Sequence, residues 1–185
     1  ASGSKEEHAR LLMEREQTAA RARRLPPVPK TPGVSADDPL AEAGRKVLRM
    51  HLARMLAAEA GTRSGEDIEQ LHKMRVATRR MRSMWRVFDG AYRLKVQVRY
   101  VRELRVVATT LGTVRDLDVL VQGVDAYTAD LAAPVSGAMA PVRLHLVEQR
   151  EAARSELIDF LDSNRYQDFV SDYLEFVETP GAGEL

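Results

Sequence analysis

Apolar residues recur along this chain at helical rather than strand spacing. The clearest stretch is Leu71 to Phe88, LHKMRVATRRMRSMWRVF. Wound at about 100° per residue, Met74, Ala77, Met81, Met84 and Phe88 fall on one side of a helix, with Trp85 at their border. Before it, Leu40 to Ala60 reads as a helix opened by Asp38-Pro39, an N-cap followed by a first-position proline. Leu48, Leu52, Met55, Leu56 and Glu59 share its inward side, and Gly61 is its stop. Ser64-Gly65-Glu66-Asp67 resembles a capping box and starts the central helix, which Asp89-Gly90 closes.

Leu94 to Leu111 predicts a third helix with a stripe of Val98, Val101, Leu104, Ala108 and Leu111. Gly112 is read as its terminus, and Thr113 with Asp116 as a second capping box. A fourth helix is then expected from Val114 to about Leu131, with Asp116 and Asp118 in its first turn, where carboxylates favour the helix dipole. AAPVSGAMAP, bounded by Pro134 and Pro141, reads as a loop or break. Helices over Val142 to about Ser163 and Tyr166 to Val177 complete the pattern, and no strand-like alternation of useful length appears. The expectation is an all-α fold, an antiparallel bundle of about five to six helices.

The ends differ from this middle. Glu6 to Leu25 has helical composition but only a thin stripe of Leu11, Leu12, Ala19, Ala22 and Leu25. The segment LPPVPKTPGVSADDP carries five prolines between Pro26 and Pro39, which remove amide donors and favour an extended strap. The organisation expected is a helical segment and linker over 1–37, a helical domain over 38–178 and a tail over 179–185.

Composition narrows the class. At 185 residues, 44% hydrophobic and 30% charged, the chain matches a single soluble domain. It has no cysteine, so disulfides, thiolate metal sites and cysteine nucleophiles are excluded. No apolar run reaches the length of a membrane span, and ASGSKEEHAR lacks a signal core. A cytoplasmic protein with no membrane contact is expected.

Charge adds more. The net charge of +1 conceals 13 Lys/Arg against 5 Asp/Glu between Arg63 and Arg115, and 2 basic against 9 acidic residues from Glu151 to Leu185. A basic middle and an acidic end point either to an anionic partner or to mutual neutralisation. On the central helix, His72, Arg75, Arg79, Arg82 and Arg86 fall within one arc of about 80° opposite the core side. Such side chains lie about 5 Å apart over roughly 21 Å, and each like-charge pair at this spacing is unfavourable by a few tenths of a kcal/mol. Lys95, Arg99, Arg102 and Arg105 lie on an arc of the third helix. Guanidinium forks bind phosphate oxygens in pairs and stay charged, and a histidine adds a pH-sensitive donor. The alternative is pairing with acids such as Asp116, Asp118 or Glu103.

Catalytic readings find little support. The chain has no glycine-rich phosphate loop, GxSxG or HExxH. His8, His51 and His145 are scattered, so neither a metal nor a cofactor is expected. A histidine phosphatase would lack an assigned acid for its leaving group. His51 among alanines reads as a surface or satisfied residue. Binding to RNA or DNA would rest on phosphate contacts alone, because no aromatics interleave with the arginines.

HKMRVATRRMR, then LRVVATTLG, then VRDLDVL closely resembles the first half of a CHAD domain (conserved histidine α-helical domain). The resemblance implies an all-helical domain that binds inorganic polyphosphate without catalysis, in proteins associated with polyphosphate granules. It places the family histidine on His72, motif arginines on Arg75, Arg79, Arg80 and Arg82, and the basic position before LG on Arg105. Arg115, Asp116 and Asp118 match the RDxD string, Arg115 as a phosphate contact and the aspartates as organisers of the arginines. Helical geometry adds Arg86 and Arg102. CHAD domains have two similar halves, and no second histidine-arginine copy follows here. The chain is therefore expected to be an N-terminal half, or to pair as a homodimer or with a missing C-terminal half.

Overall fold

A computed structural model describes residues 26–185. The expected segment from Glu6 to Leu25 lies outside the described residues. Six helices are present among them: α1 (Leu40–Ser64), α2 (Ile68–Val87), α3 (Leu94–Ala129), α4 (Ala133–Ala138), α5 (Ala140–Asp162) and α6 (Asn164–Glu178). The fold is an all-α bundle. α2 packs between α1 and α3, α3 packs along α5, and α6 closes the bundle against α1.

Trp85 sits at its centre, not at the border of the apolar stripe. It is fully buried among Tyr92, Tyr100, Tyr173 and Phe176, with ring centroids 5.0–6.5 Å away. Its indole N–H donates to the Tyr173 hydroxyl at 2.9 Å, satisfying the one polar atom this large side chain brings inside. Burial pushes the Tyr173 phenol well above its ordinary range. Tyr92, in the α2–α3 turn, donates its hydroxyl to the Ala41 carbonyl at 2.5 Å. Gly44 makes that approach feasible: a Cβ there would stand 2.6 Å from Tyr92 Oη and 2.9 Å from Phe88 Cγ.

Several boundaries depart from the sequence expectation. α1 does not stop at Gly61 but runs to Ser64, and the left-handed residue that ends it is Gly65 (φ 69°). Gly61 instead lets Gln70 of α2 pack close, since a Cβ would fall 2.4 Å from Gln70 Cγ. The start of α2 is capped by Asp67, whose side chain accepts the Glu69 amide at 2.9 Å, and not by Ser64. At the other end of α1, Pro39 is the cap position. Asp38 binds the Ser35 amide and Lys46.

The largest difference is α3. The expected third and fourth helices are one continuous helix of 36 residues, passing through Gly112 without a break. Glycine disfavours helix by only ~1 kcal/mol, and Leu111, Val114 and Val121 carry the buried stripe across it. Thr113 donates back to the Thr109 carbonyl at 3.2 Å rather than capping a new helix. Asp116 and Asp118 are therefore mid-helix, with no dipole role. The segment expected as a loop or break contains α4. Residues 179–185 fold back on the α2–α3 turn, where the Arg93 amide donates to the Gly183 carbonyl at 2.8 Å.

Candidate functional site

The acidic C-terminal region neutralises part of the basic middle, but not α2. Arg49 pairs with Glu178, Arg63 with Asp162, and Arg99 with Asp172. Glu103 holds both Arg102 (3.0 Å) and Arg165 (2.8 Å), and these hydrogen bonds, Arg165 first, hold its carboxyl below the usual range. By contrast, among the described residues no carboxylate lies within ion-pair distance of Arg75, Arg79, Arg80, Arg82, Arg86, Arg105 or Arg115. Among the described residues, then, the central arginines are not held in ion pairs.

The unpaired arginines divide between two faces of α2. Arg75 leans onto α3, its Nε 3.9 Å from where a Cβ on Gly112 would be. At about 100° per residue, Arg105, Gly112 and Arg115 share an arc of about 80° on α3, so this edge adjoins the Arg75, Arg79, Arg82 and Arg86 arc of α2. Arg75, Arg82 and Arg115 are half-buried, whereas Arg79, Arg86 and Arg105 are exposed. One guanidinium nitrogen of Arg115 is fully buried and has no hydrogen-bond partner. A buried donor left unsatisfied is unfavourable by about 1–3 kcal/mol, more when charged. Arg102 does not join this group; it turns towards α6 and is held by Glu103.

His72 and Arg80 lie on the other side of α2. With Lys73 they line a cleft of about 510 Å³ between α1 and α2, across from His51 and Arg54 and beside Val28 of the proline-rich strap. The structure thus separates His72 from the arginines with which it shares a helical arc. His51 is 6% exposed, neither a surface residue nor a satisfied one: its Nδ1, like that of His72, is buried without a partner. Burial first, then the charges of Arg54 and Arg80, push its imidazole down to about 4. His51, Arg54 and Lys73 carry no motif in the sequence that groups them with His72. Their signal is the antiparallel register of α1 on α2, which places Gly61 against Gln70 and His51 near Arg80.

The two aspartates also separate. Asp116 is exposed and forms no ion pair among the described residues. Asp118 is buried towards α5, and burial pushes its carboxyl up against the opposing effect of Arg150, Arg115 and Arg154.

Comparison with known proteins fits this architecture. The family profile of the CHAD domain matches residues 46–184. The chain belongs to the CHAD domain family. Among solved structures, PptA from Streptomyces chartreusis superposes with a TM-score of 0.63 at 18% identity, the match covering 79% of this chain and 53% of that one. This chain thus spans about half the length of PptA, and the likeness is one of fold. No curated protein matches the sequence significantly. No helix among the described residues is long and apolar enough to cross a membrane.

Proposed function

We propose that this protein binds inorganic polyphosphate, without catalysis, along the α2–α3 face. The observation that carries the reading is that six guanidinium groups, those of Arg75, Arg79, Arg82, Arg86, Arg105 and Arg115, are ion-paired with no carboxylate among the described residues. Unpaired like charges this close are unfavourable unless an anion lies among them. A flexible polyanion fits a face about 16 Å long from Arg75 to Arg86, on the rise of one helix, with no geometric demand for base readout. Membership of the CHAD family supports the same reading and an association with polyphosphate granules. A second copy of the chain, or a separate C-terminal half, would supply an opposite basic wall.

The test is binding of long-chain polyphosphate with single-stranded RNA in competition. Polyphosphate should displace RNA at far lower phosphate concentration than the reverse. Equal displacement would assign the face to nucleic-acid backbones instead, and no binding to either would remove the reading altogether. Sedimentation with and without polyphosphate tests the pairing, and monomer under both conditions would count against a homodimer.

A further inference from the structure

The α1–α2 cleft combines two kinds of lining. Val28, Ala57 and Val76 give it an apolar wall, and Arg54, Lys73 and Arg80 give it three cations. Ala57 is exposed, and Val28 is 47% exposed although it lies against the cleft. Among the described residues no carboxylate lines the cleft, and none of the three cations is ion-paired. The described chain begins at Pro26, two residues before Val28, so the segment from Glu6 to Leu25 joins the bundle beside this cleft. Wound as a helix, Glu7, Leu11, Glu14, Thr18, Ala22 and Leu25 of that segment fall within one arc of about 80°. Its arginines, Arg10, Arg15, Arg21, Arg23 and Arg24, all fall outside that arc. One side of the segment is therefore apolar, with two acids and no base.

We propose that residues 6–25 dock as an amphipathic helix in the α1–α2 cleft of the same chain. Leu11 and Leu25 pack on the apolar wall, and Glu7 and Glu14 turn towards Arg54, Lys73 and Arg80. Anchors at this spacing are what a helix offers to a groove, and most helical stability in proteins comes from packing such a face. The join at Pro26 makes docking intramolecular, at an effective concentration on the millimolar scale, so individually weak contacts suffice. A polyanion would satisfy the three cations but leave Val28, Ala57 and Val76 in water, whereas this segment matches both linings. The docking does not depend on what the α2–α3 face binds, because Arg79, Arg82 and Arg86 are not part of the cleft.

The experiment uses the full chain, which has no cysteine, so a nitroxide can be attached at one engineered thiol. Ala57→Cys places it in the cleft, Lys73→Cys repeats the measurement from α2, and Leu144→Cys, exposed on α5, is the control. Either cleft label should remove at least half the amide NMR intensity of residues 6–25, and the control label should leave it intact. Leu11→Asp should restore the intensity and speed tryptic cleavage after Arg15 and Arg21 at least fivefold, since cleavage follows the open population. Arg79→Glu should change neither, while weakening polyphosphate binding, so failure of the docking and failure of the α2–α3 reading are visible separately. Broadening seen only between labelled and isotope-enriched chains in a mixture would overturn docking in the same chain and assign the cleft to a second copy's segment. Full intensity with both cleft labels, or a cleavage rate unchanged in Leu11→Asp, would overturn the proposal altogether.

Discussion

Removing the guanidinium of Arg79 should reduce the salt dependence of polyphosphate binding, whereas removing that of Arg102 should not. On the proposed reading, the polymer meets six arginines that are unpaired among the described residues of the α2–α3 face. At about −0.7 per neutralised phosphate, the value for a single strand, the log–log slope is roughly −4.2. A fourfold rise in salt, from about 50 to 200 mM, then weakens binding by about 300-fold. Arg79→Ala removes one contact, so its slope is roughly −3.5 and the same rise weakens binding by about 130-fold. Arg102 is already engaged by Glu103 at 3.0 Å, a carboxylate it shares with Arg165, so Arg102→Ala should retain the parent slope. Fluorescence anisotropy with labelled long-chain polyphosphate, over five salt concentrations per variant, measures all three. Equal slope changes in the two variants would refute the argument that ion pairing decides which arginines are available, as would a parent slope shallower than about −2.

Three further outcomes follow from the packing. Gly44→Ala should lower stability by about 1–3 kcal/mol, measured by urea unfolding, because its Cβ would meet Tyr92 Oη at 2.6 Å. His51 is held neutral down to about 4, so the unfolded chain takes up its proton first as pH falls. Its share of stability is complete above the unfolded value near 6.5 and is lost between there and 4, by up to about 3 kcal/mol; melts across that window should show the parent losing stability relative to His51→Leu as pH falls. Asp118→Asn should raise the melting temperature at pH 7, since burial disfavours the carboxylate, and should lose that advantage near pH 3, where the native aspartate is protonated. A pH-independent difference would mean that shape, not charge, separates the two side chains.

The sequence by itself determined the helical class, the inward stripes and which arginines share one arc of α2, because helical periodicity depends only on position along the chain. It also carried the CHAD motif, from HKMRVATRRMR to VRDLDVL. Boundaries were less legible. Gly112 and Thr113 have the residue types of a helix end and a cap, but an apolar stripe already buried against α2 and α5 outweighs the small local penalty of glycine. Only tertiary structure decided which charges are available. Arg102 and Arg105 are three residues apart on one helix, yet Glu103, fixed by Arg165 of α6, holds the first, and no carboxylate among the described residues holds the second. Likewise His72 lies within the arginine arc of an isolated helix, but α1 supplies a second wall and draws it into a cleft with His51 and Arg54. Those groupings depend on which neighbour packs against each face, and that is set by long-range burial of side chains such as Trp85 and Tyr173.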